Sequence, residues 1–458
     1  MFNITDIKLY IIGNDNVNTP EFNHIGIKYE IINVNSTSNI RFLSDNNLSG
    51  IQLYNLLAHY NAAKYILKSD CEFGIVCNNI TLKDINIKSL LSKYNFDYNQ
   101  NEPICINCIY ESNDHLCNLN EYLINSCKTF NESLYIINKH FAQIILDNFL
   151  PIQLPFDEYI KHIIDKYTIN LFYTSPSLHY EQTNISLLQQ TPVINKCNDN
   201  GIIRYHKYIE NNFGDMLNTY YLLKYETITN IMYEQNQNST HIIMIGSIMH
   251  SALQNSIIMG GGVIKEKTYF DDPLITLLVR GPLTKQIYNR LGYYCPSNYG
   301  DPAIILSDIY NKQLSKKYKY GIIPHNTDYK YIKQHFNVDN NIIINLNTSL
   351  EQIEPTIDLI LKCEYIFSSS LHGLIVAHAY GIKAIWIQSH KKLYGDSIKF
   401  KDYYSSLELI PPTPLVLDNH LLTNYTDIIE TFPNPTLDII NKLKNNVKQI
   451  PFYNKLCK

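Results

Sequence analysis

The stretch from Glu364 to Trp386, EYIFSSSLHGLIVAHAYGIKAIW, constrains the fold of this chain most. A short apolar strand at Tyr365 to Phe367 runs into three serines and then Leu371, His372 and Gly373. An apolar helix follows through Tyr380, stops at Gly381, and a second strand begins at Ala384. The pattern predicts a strand, turn, helix, strand unit of a parallel sheet. In such sheets ligands bind beyond the carboxyl ends of the strands, and a helix N-terminus offers free N–H groups and positive potential to an anion. Ser368, Ser369, Ser370, His372 and Gly373 are therefore candidates for holding a phosphate. Taken alone, serines before a helix are usually caps and a single histidine is more often structural, so the rest of the chain must decide.

Four earlier stretches share this architecture. Ile202 to Tyr205 leads to NNFGDMLN, and His241 to Ile245 leads to Gly246 and Ser247. Ile257 to Met259 leads to Gly260, Gly261 and Gly262, and Leu274 to Val279 leads to Arg280. Glycines at strand ends let a backbone approach a ligand, and a guanidinium there suits bidentate binding of phosphate or carboxylate. A second set starts with Tyr320 to Ile323, ends in Pro324 and His325, and continues through a helical stretch at Leu350 to Leu361 into the unit at Glu364. Two successive sets predict two Rossmann-like lobes facing across a cleft, with Arg280 from one and His325 and His372 from the other.

A length of 458 residues predicts two or three domains, and 45% hydrophobic residues suffice for their cores. The formal net charge of -4 excludes a global basic field, so no nucleic-acid partner is expected. Ten scattered cysteines without an apolar leader fit a reducing compartment, and no apolar run is long enough to span a bilayer. The expectation is a soluble cytoplasmic protein. Heavy use of isoleucine, asparagine, tyrosine and lysine fits AT-rich coding, as in a large DNA virus.

The first half offers a strand at Ile7 to Ile12, a helix carrying Leu56, Tyr60, Ala63 and Leu67, and a buried strand from Phe73 to Val76. Later come Ser133 to Ile137, a helix near His140 to Phe149, LPIQLPFDEYI at Leu150 to Ile160, and SPSLHYEQ at Ser175 to Gln182. In this order residues 1–190 resemble the lipopolysaccharide-type glycosyltransferases of family 25, which implies a GT-A-like, Rossmann-like domain. The resemblance departs after the Phe73 strand, where that family carries acidic residues and this chain has Cys77, Asn78 and Asn79. Neutral amides and a thiol hold a hard divalent cation poorly, so loss of metal-dependent transfer is expected, leaving a sugar-binding or scaffold unit. Cys105 and Cys108 lack a second close pair, and a structural zinc is not expected. Asp157 and Glu158 are a substrate-binding acid pair or a solvated helix start. The polar stretch from Thr183 to Gly201 reads as a connection, with the boundary near residue 195.

After the connection, NFGDMLN, GSIM, the triple glycine, VRGPLT, YGDPAIIL, IIPHNTD, SSSLHGLIVAHAYGI and KFKDYY occur in order. Residues 198–440 resemble the polysaccharide pyruvyltransferase family, in its exopolysaccharide branch. The resemblance implies two Rossmann-like lobes in a GT-B-like arrangement. It also implies transfer of the enolpyruvyl unit of phosphoenolpyruvate, as co-substrate, to a glycan or sugar-nucleotide acceptor, with no cofactor and no metal. By that resemblance His372 is the principal acid/base, His325 the second choice, and Asp215 a base or sugar-hydroxyl acceptor. Arg280, Ser368, Ser369, Ser370, Gly373, Lys392 and Lys399 are expected around phosphoenolpyruvate, and Asn212, Gly261 and Gly262 around the glycan. Some members carry arginine where this chain has Ser370, so Arg280 or a lysine must supply that charge; Lys383 stands where proline is common. The same architecture also serves sugar-nucleotide glycosyltransferases, and a non-catalytic glycan-binding protein is the third alternative.

Overall fold

The structure, a computed structural model, describes residues 7–12, 29–32, 48, 50–78, 102–108, 117–118, 123–125, 130, 134–150, 154–167, 169, 171–174, 202–205, 211–225, 230–233, 240–336, 338, 341–389 and 395–457. Asn79, Lys392, the SPSLHYEQ segment and the 183–201 connection lie outside the described residues. The chain divides into two units, Met1–Asn200 and Gly201–Lys458. Among the described residues no helix is long and apolar enough to cross a membrane.

The first unit runs β1 (Ile7–Ile12), β2 (Tyr29–Ile32), α1 (Gly50–Lys68), β3 (Phe73–Asn78), β4 (Cys105–Asn107), β5 (Cys117–Asn118), β6 (Leu123–Asn125), β7 (Leu134–Asn138), α2 (Lys139–Asp147), α3 (Phe156–Tyr167) and β8 (Leu171–Thr174). Its strands form one mixed sheet in the order β2-β1-β3-β7-β4-β8-β6-β5. β3 is parallel to β1, and β7 runs antiparallel between β3 and β4. β3, FGIVCN, is buried at every position, which its unbroken small and apolar run allows. Gly74 within it lets Ile66 of α1 lie against the strand, where any side chain would overlap it.

β3 ends at Asn78, whose amide meets Nε2 of His59 at 3.3 Å. Nδ1 of His59 pairs with the Tyr135 hydroxyl at 2.8 Å, and the ring stacks on Phe156 at 3.9 Å. Burial pushes the His59 pKa down to about 3, so this imidazole is a neutral, fully engaged pillar of the core. Cys77, Cys105 and Cys108 are buried free thiols. Burial raises Cys108 to about 12 and Cys105 well above its ordinary value, which removes thiolate reactivity. Asp157 and Glu158 lie exposed in the first turn of α3, where carboxylates face the positive helix end.

The second unit starts with β9 (Ile202–Tyr205), α4 (Phe213–Lys224), β10 (Asn230–Tyr233), β11 (His241–Ile243), β12 (Ser256–Met259), β13 (Ile275–Leu278), α5 (Pro282–Arg290) and α6 (Leu306–Ile309). It continues with β14 (Tyr318–Ile323), α7 (Tyr329–His335), β15 (Ile342–Ile343), α8 (Ile353–Leu361), β16 (Cys363–Ser368), α9 (Leu371–Ala379), β17 (Ala384–Gln388), α10 (Ile398–Ser406) and β18 (Leu415–Val416). Four helices close the described chain: α11 (Asn419–Thr423), α12 (Tyr425–Thr431), α13 (Leu437–Lys448) and α14 (Pro451–Leu456).

Two sheets result, ordered β10-β9-β11-β12-β13 and β15-β14-β16-β17-β18. Every pairing described in both is parallel. Each sheet therefore carries its five strands in the same doubly wound order, second, first, third, fourth, fifth. The order reverses between β9 and β11 in one lobe and between β14 and β16 in the other. Those two switch points are where a parallel sheet leaves a crevice for ligands.

α4 is fixed to the first switch point by Asn218. Its side-chain amide donates to the Ile245 carbonyl and accepts from the Ile245 N–H, both at 2.9 Å. Asn218 is fully buried, so no water can replace it. Asn218→Leu should therefore lower stability by about 3 kcal/mol, the cost of leaving two buried backbone groups unpaired. Chemical denaturation measures this, and a loss below about 1 kcal/mol would mean that the amide does not hold α4.

Candidate functional site

At the first switch point Asn212 caps α4, accepting from the N–H groups of Gly214 at 3.1 Å and Asp215 at 3.4 Å. The start of α4 is also sewn to the second lobe. Phe213 N–H donates to the Leu346 carbonyl and Thr348 N–H to the Asn211 carbonyl, each at 3.0 Å. Asp215 is 7% exposed and turns toward Gly246, just beyond β11, where a methyl group would lie 3.6 Å from Oδ1.

At the second switch point the three serines have different fates. The Ser368 hydroxyl lies 2.9 Å from the Ile323 carbonyl and 2.8 Å from that of Ser370, and accepts from Ser370 N–H. The Ser369 hydroxyl donates to Asp328 Oδ2 at 3.0 Å and accepts from His325 N–H at 2.9 Å. Both are fully buried braces that fix the His325 turn beside β16. Ser370 is the N-cap residue of α9 and makes no side-chain cap. Gly373 lets α9 close over the strands, because a side chain there would meet Ser368 and Ile323.

The two switch points touch. The Nδ1 edge of the His372 ring lies over Gly214 so closely that any side chain at 214 would overlap it. Nε2 of His372 faces Oδ2 of Asp301 at 3.8 Å, and among the described residues both atoms are buried without a hydrogen-bond partner. The other Asp301 oxygen accepts from Ala303 N–H at 3.0 Å. The first turns of α4 and α9 thus meet around one imidazole, and positive helix ends face the same space.

Burial and neighbouring charge set the proton affinities here. Burial pushes Asp301 up to about 6, opposed by the Ala303 N–H and by Arg280, and assisted by Asp402. His372 falls to about 3 through burial, with Lys399 and Arg280 adding to it. His325 falls to about 4 through burial and the Lys399 charge, against a pull from Asp328. Lys399 itself falls to about 8 through burial and Arg280. Lys399 is therefore within electrostatic reach of Arg280 and of both histidines. At neutral pH the site holds a charged lysine, two neutral imidazoles able to accept protons, and a largely ionised Asp301.

Arg280 differs from the sequence expectation of an open clamp. It is fully buried: Nε donates to Asp402 Oδ2 at 3.0 Å, one terminal nitrogen to Ser247 Oγ at 2.8 Å, and the other to the Val263 carbonyl at 2.7 Å. Gly262 is required beneath it, since a side chain there would overlap the guanidinium. Gly261 likewise makes room for Ile243, so packing accounts for both glycines. Asp402 also accepts from Thr284 N–H at 3.0 Å and from its hydroxyl at 2.6 Å, capping α5 from another helix. Its own helix, α10, begins after Ser397, whose φ of 66° is unusual for a residue with a side chain. Asp396 braces that turn, accepting from Ile398 N–H at 3.1 Å and Glu266 N–H at 2.7 Å.

The structure thus brings together His372, His325, Lys399 and the buried charge of Arg280, with Asp215 and Asn212 on the adjoining turn of α4. Sequence reading missed Asp301, Asp402, Ser247 and Asp328. All four stand inside the motifs that carried the resemblance, so motif membership was the available signal.

A family model described as polysaccharide pyruvyl transferase matches residues 134–391. The match starts at β7 in the first unit and ends before α10. An uncharacterized protein of Acanthamoeba polyphaga mimivirus is 30% identical over 220 residues, spanning 46% of this chain and 74% of that protein.

The buried acid gives a direct test. Folding raises the Asp301 pKa, so its proton is held more tightly in the folded chain, and its contribution to stability is lost as pH rises through about 6. Asparagine cannot ionise. Asp301→Asn should therefore match the parent near pH 4 and exceed it by about 3 kcal/mol at pH 7.5, as read by urea unfolding at both pH values. A pH-independent difference would show that Asp301 is not desolvated.

Proposed function

This chain belongs to the polysaccharide pyruvyl transferase family, and on that premise we propose that it moves the enolpyruvyl group of phosphoenolpyruvate onto two hydroxyls of a glycan sugar. The product is a cyclic pyruvate ketal, and phosphate is released. The observation that carries this reading is the meeting of the α4 and α9 first turns around His372, with the charges of Lys399 and Arg280 felt at His372 and that of Lys399 at His325.

Phosphoenolpyruvate brings a phosphate and a carboxylate, and needs cations with backbone donors. The uncapped first turn of α9 supplies N–H groups, Lys399 supplies a charge, and buried Arg280 adds the field of a fixed one. Neutral His372 takes the proton of the attacking hydroxyl, and Asp301 on its far side steadies the imidazolium. The methylene carbon of the donor gains a proton, which we assign to His325 once the bound anion has raised its proton affinity. The hydroxyl oxygen adds to the resulting oxocarbenium carbon. Loss of phosphate then leaves a new oxocarbenium ion stabilised by the sugar oxygen. The second hydroxyl closes the ring on it and gives its proton to phosphate, and the proton held by His372 returns to His325 through solvent. Asp215 receives a sugar hydroxyl, while the Asn212 side chain is committed to the α4 cap.

For the second unit we propose a GT-B-like arrangement, supported by the two five-stranded parallel sheets. For the first we propose a family 25-like scaffold that holds the glycan without a metal, since β3 ends in an amide already engaged by His59.

Phosphate release from phosphoenolpyruvate, screened over free and nucleotide-linked hexoses and hexosamines, tests the proposal. His372→Ala should cost at least about 100-fold in kcat, the usual contribution of general acid–base catalysis. Lys399→Met should raise KM for phosphoenolpyruvate about tenfold, by loss of a charge-assisted contact. Donor affinity in the parent should fall above pH 8, as Lys399 loses its proton. Transfer from a sugar nucleotide without use of phosphoenolpyruvate would overturn this reading.

A further inference from the structure

The last two helices lie beyond residue 391, where the family match ends, yet they reach the reacting centre from behind. α13 packs on the Tyr299 to Pro302 turn that carries Asp301. Val447 and the Leu443 carbonyl stand where a side chain on Gly300 would go, and the Asn446 amide donates to the Tyr299 carbonyl at 3.4 Å. Lys444 fixes this helix to Ser307 Oγ at 2.6 Å and Asp308 Oδ1 at 2.8 Å, and Lys448 pairs with the other Asp308 oxygen. α14 then inserts Tyr453, fully buried, whose hydroxyl donates to the Met259 carbonyl at 2.7 Å at the end of β12. Tyr453 also meets Tyr221 of α4 edge-on at 6.4 Å, and the Tyr221 hydroxyl donates to the Pro302 carbonyl at 3.0 Å. The Asp301 turn is therefore held on both sides by residues that the tail contacts.

We propose that α13 and α14 form a positioning element of the reacting centre, walling in the Tyr299 to Pro302 turn so that Asp301 stays dry and aimed at His372. The inference rests on the reading of Asp301 and His372 as partners in the reaction. It gives the tail a task distinct from stability. Water admitted at this wall relaxes Asp301 toward an ordinary carboxylate, although Arg280, Asp402, His372, Tyr403, Tyr221 and Tyr453 still face it.

Four full-length proteins decide it: the parent, Asp301→Asn, the double variant Lys444→Ala with Lys448→Ala, and the combination of all three substitutions. Melting temperature is measured from pH 4 to pH 8. The gap between the proteins with aspartate and with asparagine at position 301 reports how dry the carboxylate is. With the lysines intact the gap should open as pH rises through about 6. Without them it should shrink by at least half. An equal drop in melting temperature in both backgrounds at every pH, with the gap unchanged, would make the tail a stability element only and overturn the proposal. A gap that never opens with the lysines intact would overturn the reading of Asp301 as well, which separates the two failures. Should the double lysine variant fail to fold, Tyr453→Phe substitutes for it in the same comparison.

Discussion

Arg280 and Asp402 form a fully buried ion pair with a 3.0 Å bond, and the candidate site is arranged around the demands of that pair. Two charges removed from water gain nothing unless their remaining donors and acceptors are met, and removing one partner typically costs about 3 to 5 kcal/mol. Ser247, Val263 and Thr284 meet those needs. The consequence is geometric. Asp402 belongs to α10 and Arg280 to the end of β13, so the pair fixes α10 against the first lobe. Lys399, one helical turn earlier, is carried to its place by the same bond. Gly281 belongs to this arrangement too, since a side chain there would overlap the Asp402 backbone.

The pair also resolves an apparent contradiction in a site proposed to take anions. Both histidines are neutral, although a charged imidazole would attract phosphate better. Burial, with positive charge nearby, makes imidazolium expensive, so the attraction is left to Lys399 and the field of Arg280, and His372 remains free to accept a proton. Asp301 fits the same logic. A carboxyl group pushed upward by burial weakens the fold at neutral pH, and such a cost is usually found where chemistry requires it.

The strand ends are plain in the sequence, because short apolar runs that stop at Gly, Ser or His suit few conformations besides a strand entering a turn. That pattern alone marks His372, His325 and the serines as candidates, while Asp215 enters through the motif resemblance. What stays hidden is the direction in which each side chain is spent. Arg280 at a strand end looks the same on paper whether it faces a ligand or a buried aspartate 122 residues later. Ser368 and Ser369 look like phosphate contacts until their hydroxyls are seen between Ile323 and Asp328. Asp301 resembles any aspartate before a proline turn, and only the approach of His372 from the other lobe gives it meaning. The closing helices are illegible for a similar reason: an amphipathic tail shows that it packs, not on what.

The contact between Gly214 and His372 has a consequence for how such a protein can change over generations. One residue sits at the start of α4 and the other, 158 positions later, at the start of α9, and the imidazole occupies the volume that any larger residue at 214 would claim. Neither position is free to drift alone. A lineage that acquired a side chain at 214 would have to surrender the imidazole or part the lobes, so glycine there and histidine at 372 should be inherited, or lost, as a couple.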